Sequence, residues 1–153
     1  MYACGLRIGE AATVEIASIY SADGLLHIIG KGDKERRVPL PRPMLDDLRR
    51  LWLTHRNERW LCPDRLGTGP VSKNALWRTF RLCVRAAGIK RQVSPHALRH
   101  SYATRLLENG VDTSVVQILL GHVNITTTAI YMHLTEPTRA SLKSILDKLM
   151  TGL

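Results

Sequence analysis

Residues 94–133 read SPHALRHSYATRLLENGVDTSVVQILLGHVNITTTAIYMH. Ser94 followed by Pro95 is typical of a helix start, because a serine can cap free backbone N–H groups and proline is preorganised for the first turn. Asn109-Gly110 is typical of a helix end, since both residue types tolerate the left-handed conformation at which helices stop. The stretch therefore predicts a helix that opens on HALRH at 96–100.

The second half of this stretch predicts two further helices. Asp112 can cap a helix that ends at Gly121. Val123–Tyr131 is rich in β-branched residues, which by propensity alone favour a strand. However, Asn124 or Thr126 can cap a helix, and we expect a short helix there.

The N-terminal half adds a small sheet to this helical pattern. Residues 5–12 are predicted to be the end of a helix that starts at Met1, and three antiparallel strands joined by turns follow. No repeat or linker divides the chain, so residues 1–153 are expected to form a single domain of the α+β class, mainly helical. The predicted strands are Thr13–Tyr20, Leu25–Ile29 and Arg36–Pro41. The further predicted helices span 43–54, 72–87 with Ser72 as its cap, and an amphipathic tail at 136–150.

The charge of the chain says more about its partner than the cysteines do. A formal net charge of +9 on 153 residues favours a polyanion such as DNA, although a merely soluble basic protein would have the same balance. Cys4, Cys62 and Cys83 are odd in number and form no CxxC pair, so neither a disulfide framework nor a zinc site is indicated. We expect a cytoplasmic protein, because no apolar run could span a membrane and no secretory signal is visible.

The island HALRH can support phosphate chemistry. His96 and Arg99 are three residues apart and share a helix face near a helix start, which favours anions; the arginine matches phosphate oxygens and the histidine can transfer a proton. An ordinary helix with a core histidine is the alternative. His96 and His100 have the spacing of zinc ligands, but Ala97 stands where zinc proteases have glutamate, and we expect no metal site.

Three other positions are ambiguous when each is taken alone. Arg7 can pair with Glu10 on one helical face, either as a surface ion pair or as part of an anion site. Lys31 lies in the turn GKG at 30–32, which is either a solvated hairpin tip or a close approach to DNA with a lysine able to act as an acid. Tyr131 needs a base and positive charge nearby to act as a nucleophile, because a free tyrosine has a pKa of about 10.

Taken together, these islands resemble the catalytic domain of the tyrosine recombinases, the phage-integrase and Xer-like family. HxLRH followed by LGH and then a tyrosine is highly specific, whereas GLR and GKG are weak alone. The islands occur in the order of the family across essentially the whole chain. The matching residues are Gly5-Leu6-Arg7 with Glu10, Lys31, His96-Ala97-Leu98-Arg99-His100, Leu120-Gly121-His122 and Tyr131.

The resemblance implies a DNA-cleaving site. Tyr131 would attack the scissile phosphate, form a 3′-phosphotyrosyl link and free a 5′-hydroxyl. Arg7 and Arg99 would hold the non-bridging oxygens, and Glu10 would orient the arginine side of the pocket.

The resemblance also implies roles in proton transfer. Lys31 would protonate the leaving 5′-oxygen, His96 would act as general base, and His122 would donate a hydrogen bond to the phosphate. Because one phosphodiester is exchanged for another, neither ATP nor a metal ion or other cofactor would be required.

Two surfaces outside the pocket are assigned to partners. Family members usually carry an N-terminal helical domain that this chain lacks, so we expect a truncated piece or a fragmentary open reading frame. The tail 136–150 could pack on a neighbouring protomer, as the resemblance implies, or fold back on its own core. The residues predicted to contact the DNA backbone, with a solvated helix face as the alternative, are Arg78, Arg81, Arg85, Lys90 and Arg91.

The leading hypothesis is the catalytic domain of a site-specific DNA recombinase or integrase. A type IB topoisomerase-like activity would use the same residues without a defined site, and the compact layout of the islands argues against it. A third alternative is a basic DNA-binding fragment whose pocket is idle.

Overall fold

The computed structural model describes residues 1–30, 35–121 and 136–151, and a three-stranded antiparallel sheet lies near the N-terminus. Leu26 pairs with Ile19 on one side and with Val38 on the other. Leu26, Ile28 and Val38 are buried, so one face of the sheet covers the core. The predicted meander is confirmed, and its strands in spatial order are β1 Ile19–Tyr20, β2 Leu25–Ile29 and β3 Glu35–Pro39.

The predicted strand Thr13–Tyr20 is wrong for most of its length. Only its last two residues pair with β2, and Ile16–Ser18 form a turn of 3₁₀ helix. Val14 pairs elsewhere, because its carbonyl accepts a hydrogen bond of 3.0 Å from the backbone N–H of Leu61. The backbone of Val14 is therefore paired with a distant loop and not with the sheet.

The first helix is shorter than the predicted helix over residues 5–12. Helix α1 spans Ile8–Ala12. Gly5 has a φ of +62°, which lies outside the helical region, and a Cβ atom there would lie 2.8 Å from the ring of Tyr102. The segment GLR is therefore non-helical, and Arg7 stands immediately before the first residue of α1.

Five longer helices make up the rest of the described fold, and they agree with the prediction within one or two residues. In residues 1–30, 35–121 and 136–151, no helix has the length and apolar character needed to cross a membrane. These helices are α2 Arg42–His55, α3 Lys73–Ala86, α4 His96–Glu108, α5 Thr113–Leu120 and α6 Glu136–Thr151.

Within the described residues, two of the three predicted side-chain caps are confirmed. Ser72 Oγ accepts a backbone N–H of α3 at 3.1 Å, and Asp112 Oδ1 accepts one of α5 at 2.7 Å. Ser94 was expected to cap α4, but Pro95 occupies the cap position with helical dihedrals. Because the turn already begins there, Ser94 contributes its carbonyl, which accepts the backbone N–H of Ala97 at 2.9 Å.

Helices α4 and α6 supply the centre of the core. Tyr102 and Leu106 of α4 and Leu142 and Leu146 of α6 are all at most 2% exposed. Asp147 of α6 also accepts a hydrogen bond of 3.0 Å from the backbone N–H of the first residue of α2. The tail therefore folds back onto the core of its own chain, which is one of the two predicted alternatives.

Truncation of the α6 core face should destabilise the domain. We expect Leu146→Ala to lower the free energy of unfolding by about 2–5 kcal/mol, because it leaves a cavity, and Ser144→Ala, on the exposed face, to change it by less than about 0.5 kcal/mol. Urea unfolding followed by circular dichroism measures both. If the two variants were equally stable, or if the wild-type midpoint depended on protein concentration, α6 would not be packed on its own core in solution.

Candidate active site

The candidate site is built on a buried ion pair between α1 and β3. Arg36 donates from Nη1 to Glu10 Oε1 at 2.9 Å and from Nη2 to Glu10 Oε2 at 2.7 Å. The side chains of Arg36 and Glu10 are only 3% and 6% exposed. A planar fork on a carboxylate is the strongest form of such a pair and fixes both side chains in orientation.

Arg36 was not recognised as a site residue from the sequence. The available signal is its position on β3, where Arg36 and Val38 alternate with more exposed neighbours and share the inward face. A charged residue at an inward strand position needs a buried partner. The sequence does not say that this partner is Glu10, 26 positions away.

Glu10 also holds Arg7, as the spacing predicted. The backbone N–H of Arg7 donates to Glu10 Oε2 at 2.8 Å, and Arg7 Nη1 donates to Oε1 at 3.0 Å. The Arg7 side chain is 40% exposed. Glu10 therefore anchors an arginine that still faces solvent and can reach a ligand.

The acidity of Glu10 follows from these contacts. Burial by itself would raise its pKa, but the hydrogen bonds and the charge of Arg36, together with the hydrogen bonds from Arg7, lower the pKa to about 2. Glu10 is thus a carboxylate at any physiological pH.

Arg99 is buried on α4, and its guanidinium binds two backbone carbonyls. Nη1 donates to the carbonyl of Gly5, and Nη2 donates to the carbonyl of Leu120 at the end of α5. Burial and then the charge of Arg7 lower the pKa of Arg99 to about 10, so it remains a cation at neutral pH. Arg99 thereby joins the segment that leads to Arg7 with the end of α5.

The cluster carries more positive than negative charge. Among the described residues, three guanidinium groups, those of Arg7, Arg36 and Arg99, lie around the one carboxylate of Glu10, and the pKa of Arg99 responds to the charges of Arg7, Glu10 and Arg36. An anion that docked against the exposed side of Arg7 would offset the excess charge. The arrangement is suited to binding a phosphate.

The remaining predicted catalytic residues fall in two groups. His96 is exposed at the start of α4, one turn before Arg99, so it is not a core histidine. Lys31, His122 and Tyr131, like the short helix predicted over 123–131, lie outside the described residues. In the described ranges no three His, Cys, Asp or Glu side chains gather into a possible metal site.

Four of the five predicted DNA-contact residues line one open cavity of about 680 Å³ between α3 and the segment that leads to α4. Trp77 and Val84 also line it, and the guanidinium carbon of Arg81 lies 5.7 Å from the ring centroid of Trp77. Arg78 is exposed on the same helix. The four lining residues are Arg81, Arg85, Lys90 and Arg91.

Comparison with known proteins agrees with this geometry. The model of the family described as "Phage integrase family" matches residues 1–137. "Tyrosine recombinase XerD" of Lacticaseibacillus casei is 39% identical over 143 residues, which are 89% of this chain and 48% of that protein. The chain therefore spans about half the length of the curated relative it matches.

Solved structures show the same fold. The crystal structure of XerA recombinase matches with a TM-score of 0.68 and 30% identity, over 92% of this chain and 53% of the other. The XerH site-specific recombinase bound to its palindromic difH substrate, a post-cleavage complex, matches with a TM-score of 0.70 and 30% identity, over 94% of this chain and 42% of the other.

Loss of the buried carboxylate should make stability less dependent on acid pH. We expect Glu10→Gln to cost about 3–5 kcal/mol at pH 7, because it leaves Arg36 buried without its partner. The stability that Glu10 contributes in the wild type is present above its ordinary pKa of 4.5 and is lost as the pH falls towards 2, since its folded pKa is the lower one. Urea unfolding at pH 7, 5, 4 and 3 should show the difference between the two proteins narrowing only below about pH 4.5. A constant difference across this range would contradict the assigned pKa.

Proposed function

Because the chain belongs to the phage integrase family, we propose that it is the catalytic part of a tyrosine-type site-specific recombinase, a single domain that cleaves and rejoins double-stranded DNA. The observation that carries this proposal is the excess of positive charge around Glu10, with Arg7 half-exposed and Arg99 held by two backbone carbonyls. Preorganised donors at developing charge are usually the largest single contribution to catalysis.

The proposed step balances as a simple exchange of esters. The Tyr131 oxygen attacks the phosphorus, its proton passes to His96, the bond from phosphorus to the 5′-oxygen breaks, and Lys31 supplies the proton that this oxygen takes up. Arg7 and Arg99 would hold the non-bridging oxygens, with His122 as a further donor. Lys31, His122 and Tyr131 are assigned on the match of residues and spacing to the family.

The arginines and the proton donors have separate energetic roles. Removal of one preorganised donor to developing charge typically costs about 10²–10³ in rate. General acid–base catalysis contributes about 10²–10⁴. No step of this scheme assigns work to a metal ion or a nucleotide cofactor.

The partner we propose is double-stranded DNA, and the basic cavity beside α3 would hold its backbone. This is supported by the similarity to the XerH site-specific recombinase, which was solved bound to a palindromic difH substrate. Self-association on DNA through 136–150 is also proposed. Because Leu142 and Leu146 are buried on their own core, assembly through the apolar face of this segment requires α6 to leave that position. A cytoplasmic location is part of the same proposal.

The nucleophile can be tested by trapping it on DNA. A pool of duplexes with a randomised central segment and a nick in one strand serves as substrate, since the short 5′-hydroxyl fragment diffuses away and prevents religation. We expect an adduct that survives denaturant with the wild type, none with Tyr131→Phe, and an undiminished adduct with Tyr20→Phe, an exposed tyrosine on β1.

The outcomes separate the proposal from its alternatives. An adduct that still forms with Tyr131→Phe would show that Tyr131 is not the nucleophile. Salt-sensitive DNA binding without any adduct would indicate an idle DNA-binding fragment. Relaxation of plasmids irrespective of sequence would indicate a topoisomerase-like activity.

The basic cavity should contribute to the salt dependence of DNA binding. We expect Arg81→Gln with Arg85→Gln to weaken binding to all sequences alike and to reduce the slope of log K against log salt by about 0.9 for each phosphate that the protein no longer neutralises. Arg49→Gln, at an exposed position of α2 where Arg49 pairs with Asp46, should leave the slope unchanged. Fluorescence anisotropy over a series of salt concentrations measures the slopes, and equal slopes for all three proteins would exclude this surface as the DNA contact.

A further inference from the structure

We propose that Arg36 is a positioning residue for the cleavage reaction, which holds the two phosphate-binding arginines, Arg7 and Arg99, in their working positions. This inference rests on the proposed function.

The first link runs from Arg36 to Arg7 through Glu10. Both oxygens of Glu10 accept from Arg36, and both also accept from Arg7, one from its backbone and one from its side chain. A carboxylate with a side chain 6% exposed needs a buried counter-charge. If Arg36 did not supply it, Arg7 would be the cation still hydrogen-bonded to Glu10 within the described part of the chain, and its guanidinium would be drawn away from a ligand.

The second link runs from Arg36 to Arg99 through the end of α5. Arg36 Nε donates to the carbonyl of Leu119 at 3.0 Å, and Arg99 donates to the next carbonyl, that of Leu120. The last carbonyls of a helix have no partner within the helix, so these two guanidinium groups complete the C-terminus of α5 together. Movement of one would shift the backbone that orients the other.

Gly121 brings the backbone close enough for this contact. Its φ is +67°, and a Cβ atom there would lie 3.3 Å from Arg36 Cδ. Two features therefore favour glycine at position 121: the left-handed conformation that ends α5 and the close packing of Arg36 against this backbone.

Position 36 requires arginine because three N–H groups of one planar guanidinium group donate hydrogen bonds there. Two serve Glu10 and one serves Leu119. A lysine would keep the charge but present a single ammonium group, which cannot satisfy a carboxylate fork and a carbonyl from opposite directions. Arg36→Lys therefore separates the geometry from the charge.

The test uses the full chain and the DNA sequence most enriched among wild-type adducts, under single-turnover conditions at saturating protein. A displacement of about 1 Å in a catalytic group can cost about 10² in rate. We expect Arg36→Lys to form the adduct about 10–100-fold more slowly, with DNA affinity within about threefold of wild type.

Two modified substrates show which catalytic contribution is impaired. A methylphosphonate at the scissile position lacks the charge that Arg7 and Arg99 would stabilise, so the defect of Arg36→Lys should shrink to a few-fold there. A 5′-bridging sulfur leaves without protonation and replaces the role of Lys31, so it should leave the defect unchanged. Three results would overturn the proposal. Arg36→Lys could be slowed equally on the native, methylphosphonate and sulfur substrates, it could regain its rate on the sulfur substrate alone, or it could cleave all of them as fast as the wild type.

Two controls keep stability apart from positioning. Leu45→Ala, in the core on α2, lowers stability without changing any of the charged side chains and should cleave at the wild-type rate while folded. If Arg36→Lys does not fold, Arg36→Met combined with Glu10→Met removes both buried charges, and such replacement is often neutral for stability. The same pattern of defects is expected for this double variant.

A wild type without any adduct would refute the proposed function itself, whereas a wild-type adduct with an equally fast Arg36→Lys would refute only the role of Arg36.

Discussion

The buried carboxylate of Glu10 is the constraint on which the candidate site depends. A charge with so little exposure is stable only when its partners are held in place, and here Arg36 and Arg7 supply four hydrogen bonds to its two oxygens. The requirement brings α1, β3 and the end of α5 to one point. The core beneath, formed around Tyr102 and Leu106 of α4, fixes the distance between these elements.

Charge balance then connects the fold to its chemistry. One carboxylate is not enough to neutralise the guanidinium groups around it, and the pKa of Arg99 is lowered in part because of the resulting repulsion. In the free protein this excess positive charge is destabilising. A phosphate in the site would offset the repulsion and would therefore be bound more tightly. A tyrosine with an ordinary pKa of about 10 can attack only where such charge also stabilises the transition state.

The sequence predicted the features that depend on local backbone chemistry. The caps at Ser72 and Asp112 and the glycine that ends α5 are found where expected, because capping depends on residues a few positions apart. The β-propensity of residues 13–20 predicted a strand, but it could not identify the hydrogen-bond partner of Val14, which is Leu61. The prediction therefore put a strand of the sheet where the chain pairs with a loop.

The candidate site shows the same contrast between local features, which the sequence predicts, and long-range contacts, which it does not. Motif spacing predicted Arg7, Glu10 and Arg99 as site residues, and the predicted contact of Arg7 with Glu10 is present. Arg36 was missed because its partners lie 26 and 83 positions away, and no local pattern records such contacts. An arginine at an inward strand position is the clue that would have pointed to a buried carboxylate.

The central claim is that this charge cluster serves a tyrosine that joins itself to the 3′ end of a cleaved DNA strand. The most direct measurement is to trap the adduct, digest its protein and DNA, and identify the modified residue by tandem mass spectrometry. The account predicts a nucleotide esterified through its 3′-phosphate to Tyr131. A nucleotide on any other residue, or attachment through a 5′-phosphate, would contradict it.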